Sequence, residues 1–274
     1  GIPAEPLFRS ASLALMKISS NKTLNALRNG IVIISPFTII GSLFLIIGNL
    51  PFNGWDKIIE PYAPMLNAVV DVTFGMLGLL SVVGISYYIA KEFELNTLSN
   101  IAISVVCFLL ATMTDDYAIN VEAFSSTGMF TGILIVFLVT FIHKFCVNKR
   151  LMIALPGGVP PAVFESFASL IPGFMSILAV WVLRILLGVN INELVQFVFG
   201  PLVFGLNSLP GMLVYTIVAL LLWGVGIHGD NVLSPISSPI FISLMAANAK
   251  AFQMGQPIPN EITGGMFTIF MCVG

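Results

Sequence analysis

Charged residues divide this chain into long apolar intervals, and those intervals set the expected architecture. Between Arg28 and Asp56 there is no Asp, Glu, Lys or Arg, and a helix that crosses hydrocarbon needs about 20 mostly apolar residues to cover roughly 30 Å. Gly30 to Leu50 is therefore predicted as a first span. Leu66 to Ala90, Leu98 to Met113 and Thr127 to Ile142 are predicted as three more, each read as long enough to cross.

After Arg150 the pattern changes. The segment LPGGVPPAVFESFASLIPGF carries Pro156, Pro160, Pro161 and Pro172 together with Gly157, Gly158 and Gly173. Proline removes an amide donor and clashes with the preceding turn, so no straight spanning helix is expected through it. Non-helical backbone at membrane depth survives only where protein or a watery cavity satisfies it, which predicts cavity-lining breaks in this half. Further spans are predicted at Phe174 to Leu187, Gly211 to Val225 and Val232 to Ala249, with one more beginning at Met266. Pro201, Pro210, Pro235 and Pro239 mark expected kinks or re-entrant turns. The fold class is thus an all-α membrane protein, a multi-spanning helix bundle with broken helices and re-entrant hairpins in its C-terminal half. Three regions follow: a cytoplasmic leader or interfacial segment over 1–29, a helix bundle over 30–150, and a region over 151–274 suited to hold substrate, since discontinuous helices near the midplane are where transporters bind cargo.

Composition agrees with the pattern. Of the 274 residues 57% are hydrophobic and 9% charged, against roughly 25% charged in a soluble domain, so much of the surface faces something other than water. A net charge of -2 without Lys/Arg clusters excludes nucleic acid as a partner, because neutralising phosphates requires a basic footprint. Orientation follows from the basic residues, which short cytoplasmic loops retain. Arg9, Lys17, Lys22, Arg28, Lys91, Lys144, Lys149 and Arg150 fall on one side of the first four spans and Lys57 on the other, where Asp115, Asp116 and Glu122 also lie. The N-terminus is predicted to be cytoplasmic.

Few groups can carry chemistry. Cys107, Cys146 and Cys272 lie far apart, and neither a metal-ligand cluster nor a disulfide framework is implied. No cofactor or metal is expected. No phosphate-binding, zinc-protease or serine-hydrolase motif occurs, so the chain has no such means of energising transport alone. His143, beside Lys144 at the end of the fourth span, is expected to tip toward headgroups. His228 differs: it stands in WGVGIHGDNVLSPISSPI, a polar cluster inside a long apolar interval, where an ionisable group is a functional candidate. Gly229 follows it directly; Ile227 precedes it, with Gly226 the nearest glycine on that side. Small residues here let a ligand approach the backbone. Asp230 and Asn231 offer donors and acceptors to a polyhydroxylated ligand, and Asp230 fits a helix-capping role equally well. Trp223, five residues before His228, is a candidate to stack on a sugar ring. Asp71 is read as a first-turn residue of the second span, favoured there by the helix dipole. Arg184 is read as snorkelling near a span end with Glu193 available as partner, and Glu165 as either facing a cavity or lying at the interface.

At GVPPAVFESFASLIPGF and WGVGIHGDNVLSPI the sequence resembles the membrane permease, enzyme IIC, of the lactose/cellobiose/chitobiose family of the bacterial sugar phosphotransferase system. LRNGIVIISPFTIIGSLFLIIGNLP looks like that family's first spanning region. The resemblance implies a homodimeric, multi-pass permease of the bacterial plasma membrane, with the dimer contact made by its N-terminal helices. It also implies a disaccharide (chitobiose, cellobiose or lactose) held by the C-terminal helices, and phosphorylated enzyme IIB as the partner that supplies phosphate. In that family the histidine matched by His228 contacts sugar hydroxyls at the phosphorylation site, and a glutamate in a later Asn-Glu-Pro motif is its companion. Here Asn192-Glu193 and Asn260-Glu261 lack the following proline, so the chain is expected to be truncated before that motif. Phe164-Glu165 departs from the smaller or basic residues expected there. A proton- or sodium-coupled secondary transporter, with His228, Asp230 or Glu165 as coupling group, is the competing reading.

Overall fold

A computed structural model describes residues 20–151, 153, 160–224 and 228–266, side chains at 161, 162, 230 and 231 excepted, and every regular element among them is helical. Helix α1 (Lys22–Val32) is capped by Asn21, whose side chain accepts from the amides of Thr23 and Leu24 at 2.9 and 3.2 Å. It continues into α2 (Ser35–Gly48), so the first apolar stretch starts ahead of the predicted Gly30. A second stretch, Trp55–Glu92, contains α3 (Trp55–Ile59), α4 (Ala63–Phe74) and α5 (Leu77–Glu92), with a hitch at Gly75 and Met76. Asp71 therefore lies near the C-terminal end of α4 rather than in a first turn, and it accepts from Gln253 at 3.1 Å. Helix α6 (Thr97–Ala111) has 15 residues, about 22 Å at 1.5 Å per residue. That falls short of a hydrocarbon core of roughly 30 Å, contrary to the expectation for this span. Helix α7 (Met129–Asn148) runs six residues past Ile142.

The N-terminal core forms where α1, α5, α6 and α7 meet, around the fully buried Ile85, Ile89, Phe108, Val136 and Val139. Helices α1 and α5 cross at Gly30 and Gly84. A Cβ on either would strike the other helix's backbone, so the close approach requires glycine, the small-residue packing typical of membrane helices.

Inside this core lies a polar knot. Asn100 of α6 is fully buried and donates to Ser86 Oγ at 2.8 Å and Thr140 Oγ1 at 3.1 Å, while Ser104 Oγ lies 3.1 Å from Ser86 Oγ. His143 Nδ1 lies 3.2 Å from Asn100 Oδ1. Because the Asn100 amide group is already donating, Oδ1 is the acceptor and Nδ1 of His143 carries the proton. The expectation that His143 tips toward headgroups is thus overturned: the residue is 3% exposed, because a partner three helices share is available to it inside.

The C-terminal half departs further from expectation. Helices α8 (Pro161–Ala168) and α9 (Leu170–Trp181), followed by a π turn over Val182–Leu186, make one apolar stretch, Val163–Leu186, directly through FESFASLIPGF. Pro161 is the first residue of α8 and Pro172 the third of α9, positions whose amides have no helical acceptor, so neither proline breaks the path. Helix α10 (Ile191–Leu206) was not anticipated; its exposed Phe197, Val198 and Phe204 give a surface suited to lipid. It meets α11 (Leu209–Gly224) at an 82° bend, the re-entrant geometry expected of this half. Pro201, Pro235 and Pro239 sit inside helices, whereas Pro210 follows the bend at Asn207 and Ser208 as the second residue of α11. Helix α12 (Gly229–Gln253) closes the described fold. Five stretches among the described residues are long and apolar enough to cross a membrane, or six if the bent pair counts as one. Residues 1–19 of the leader and the segment after Met266 lie outside the described residues.

Arg184 is also reassigned. It is 4% exposed, and its guanidinium donates to the Met113 carbonyl at 2.6 Å and to Asp115 at 2.8 Å. Glu193 is exposed and its amide bonds Asn190. The π turn that carries Arg184 widens the helix locally, a distortion often found at special sites.

Replacing Asn100 by Leu strands the polar groups of Thr140 and His143 in the core and leaves Ser86 with Ser104 alone. Each buried group left without a partner costs about 1–3 kcal/mol, so Asn100→Leu is expected to lower the thermal unfolding midpoint of the detergent-solubilised protein by several degrees, measured by scanning fluorimetry. An unchanged midpoint would show that the knot does not hold the three helices.

Candidate functional site

The structure brings two of the singled-out side chains into contact. Trp223 ends α11 and His228 precedes α12, and their ring centroids are 4.3 Å apart at a 47° tilt. The local cause is the helix pair beneath them. Gly229 is buried, and a Cβ on it would come within 2.5 Å of the Ala219 carbonyl oxygen. Only glycine allows α12 to begin this close to α11. Tyr215 Oη and Ser237 Oγ pair at 2.9 Å further along the same two helices. Residues 219 and 223 lie one turn apart on one face, so the contact at Ala219 carries Trp223 to the edge where His228 stands.

His228 occupies the capping position of α12 with extended backbone, and its side chain makes no capping bond. Asp230 therefore does not hold the capping position considered for it: Asp230 and Asn231 occupy the second and third helical positions, and their side chains are outside what the structure describes. Ile227 is outside the described residues altogether. Glu165 is exposed on α8, and no group of three or more His, Cys, Asp or Glu assembles among the described residues.

Two features escaped the sequence reading. Pro235 and Pro239 lack amides, so the carbonyls of Asn231 and Pro235 have no α-helical donor; beside them Ser234 Oγ is buried without a hydrogen-bond partner. The second feature is a brace of three asparagines at the bend. Asn207 donates to Asn260 Oδ1 at 2.9 Å, Asn248 donates to the Asn260 carbonyl at 2.8 Å, and the Asn260 amide returns to Asn248 Oδ1 at 2.9 Å. The signal available in the sequence was three amides in an apolar region, with no local spacing that pairs them.

The ends of the molecule differ. Lys22 pairs with Glu92 at 3.1 Å, and Lys144 Nζ lies 4.0 Å from the Phe93 ring centroid, so the basic helix ends gather together. At the opposite end Arg184 meets Asp115, Lys250 meets Glu122 at 3.0 Å, and Thr131 donates to Asn192 at 2.7 Å. Helix α12 carries Lys250 in its last turn and packs on α1 and α11. Its 25 residues span about 37 Å, which carries His228 away from Glu122 toward the end with the basic residues.

These features define a multi-spanning helical membrane protein with a bent helix pair and a histidine against a tryptophan at the start of a proline-containing helix. The family model described as "Phosphotransferase system, EIIC" matches residues 28–274, and the chain belongs to that family. It is 36% identical to the lichenan permease IIC component of Bacillus subtilis (strain 168), over 94% of this chain and 62% of that protein. It is 34% identical to the cellobiose-specific EIIC component of Geobacillus stearothermophilus, over 94% of this chain and 63% of that one. The crystal structure of ChbC, the IIC component of an N,N'-diacetylchitobiose-specific phosphotransferase system, superposes with a TM-score of 0.85 at 35% identity, covering 92% of this chain and 64% of that chain. The chain thus spans somewhat under two thirds of the length of these relatives.

Gly229→Ala forces a Cβ into the Ala219 backbone, an overpacking expected to cost about 1–3 kcal/mol. Its unfolding midpoint should fall by several degrees, while Gly200→Ala, inside α10 with open space around it, should lose less. Equal losses from the two substitutions would show that the close approach of α11 and α12 is not what glycine secures.

Proposed function

We propose that this chain is the membrane portion of a phosphotransferase-system permease that moves a β-linked disaccharide inward and presents it for phosphorylation by phosphorylated enzyme IIB. The observation that carries the reading is the Trp223 and His228 pair at the start of α12, at the end of the molecule where the basic residues gather. A soluble phosphate donor would approach that end if the basic residues face the cytoplasm, as short cytoplasmic loops favour. Membership of the EIIC family supports the same reading, and the relatives' names, lichenan, cellobiose and diacetylchitobiose, point to β-linked sugars.

In this reading His228 orients a sugar hydroxyl or accepts its proton, because phosphoryl transfer requires an oriented acceptor in line with the donor. Asp230 and Asn231 bind the sugar. The phosphate comes from the partner. The division of labour is a helix bundle over 30–150 and a substrate-holding region over 151–274. The bundle pairs with a second copy, and outward-facing Ile39, Leu43 and Ile46 on α2 are an apolar face open to such a contact or to lipid. The protein sits in the bacterial plasma membrane with its N-terminus in the cytoplasm. Ion coupling is the weaker reading: Glu165, one of its candidate groups, is exposed on α8.

His228→Gln in the full-length permease is expected to preserve expression and to reduce phosphorylation-coupled uptake of labelled cellobiose or chitobiose by about 10²-fold to 10⁴-fold, assayed in vesicles loaded with phosphorylated enzyme IIB. A normal rate would reduce His228 to a turn residue. Orientation has its own test. Asp116 is exposed in the loop after α6, so a cysteine in its place should react with an impermeant maleimide added to intact cells. Reaction only after the inner face is opened would invert the topology.

A further inference from the structure

We propose that Trp223 is a positioning residue for His228, holding the imidazole in its working orientation, rather than a platform for the sugar ring. The inference rests on the phosphorylation role argued for His228 and adds how that side chain is aimed. Three observations carry it. The indole and imidazole centroids are 4.3 Å apart, so the indole surface turned toward α12 is occupied by the histidine itself. His228 is exposed and makes no capping bond to α12, which leaves its two side-chain torsions free unless something packs against the ring. The partner is also delivered by the backbone: the close approach of Gly229 to Ala219 places Trp223, one turn beyond Ala219, beside His228 whatever the sugar. Both rings are exposed, so the contact does not exist to fill a core. A flat ring against one side of an otherwise free imidazole removes the rotamers that point its nitrogen away from the acceptor hydroxyl. Such pre-orientation acts on turnover more than on binding.

The test separates turnover from binding in the full-length permease, with cellobiose as ligand. Trp223→Leu should lower the kcat of sugar phosphorylation by phosphorylated enzyme IIB by about 10-fold to 100-fold and change the Kd for cellobiose, measured by calorimetry, by less than about 2-fold. Trp223→Phe, which keeps an aromatic face, should restore kcat to within about 3-fold of wild type. If Trp223→Leu fails to insert, Trp223→Phe and Trp223→Met decide the matter, with the methionine variant expected to lose turnover and the phenylalanine variant to keep it. A loss that appears in Kd with kcat unchanged makes Trp223 a sugar platform and overturns the proposal, as does a leucine or methionine variant that is unaffected in both. His228→Gln read in the same assay keeps the two ideas apart. If His228→Gln is inactive and Trp223→Leu is normal, only the positioning role fails; if His228→Gln is normal, the phosphorylation role falls and the positioning role with it.

Discussion

A peptide group inside hydrocarbon has no water to bond, so each departure from α-helix must find its donors and acceptors within the protein. This constraint decides where the chain can turn. At the 82° bend the Ser208 hydroxyl donates to the Gly205 carbonyl at 2.6 Å and accepts from the Gly211 amide at 3.2 Å, closing one helix and opening the next. At the end of the preceding span the buried Arg184 supplies donors to the half-buried carbonyl of Met113 beyond α6. Within α12 the chain tolerates Pro235 and Pro239 where their rings are buried against neighbouring helices.

The same constraint explains how much of the fold was legible. Apolar intervals poor in charge located the long helices of the N-terminal half, because length and hydropathy are local properties. They overstated α6, since Thr112 and Met113 carry no charge to close the interval although the helix ends at Ala111. Proline was misread because its effect depends on position. Pro172 in the first turn of α9 is harmless, whereas the real break at Asn207 and Ser208 carries no proline. His143 and Arg184 were misread for a related reason. Their partners, Asn100 and Asp115, lie 43 and 69 residues away in sequence, and only the packing of helices reveals them. At the site, His228 and Trp223 stood out because polar and aromatic residues cluster there, but that they touch each other depends on the Ala219 and Gly229 approach.

Polar links are distributed unevenly. The loop following α6 and the short turns before α7 tie into the C-terminal half through Arg184 and Asp115, Lys250 and Glu122, and Gln196 with the Thr127 carbonyl at 3.4 Å. Of these, the Lys250 and Glu122 pair is solvent-exposed on both partners and stabilises by little, as such pairs do. The Arg184 contact differs because the arginine is buried and its removal would leave a carbonyl without donors. The Arg184 end of the span that follows α8 is therefore anchored more firmly to the N-terminal half than the Lys250–Glu122 contact anchors α12.

The asparagine brace at the bend has a further consequence. Asn207, Asn248 and Asn260 join α10, α12 and the segment beyond it through neutral amides alone. The membrane potential does work on a charge that it moves, about 2.3 kcal/mol per elementary charge per 100 mV, and it does almost none on an amide pair of balanced polarity. A joint of this kind is electrically silent: energising or depolarising the cell leaves its set angle alone, and the potential acts on the charged residues elsewhere in the protein.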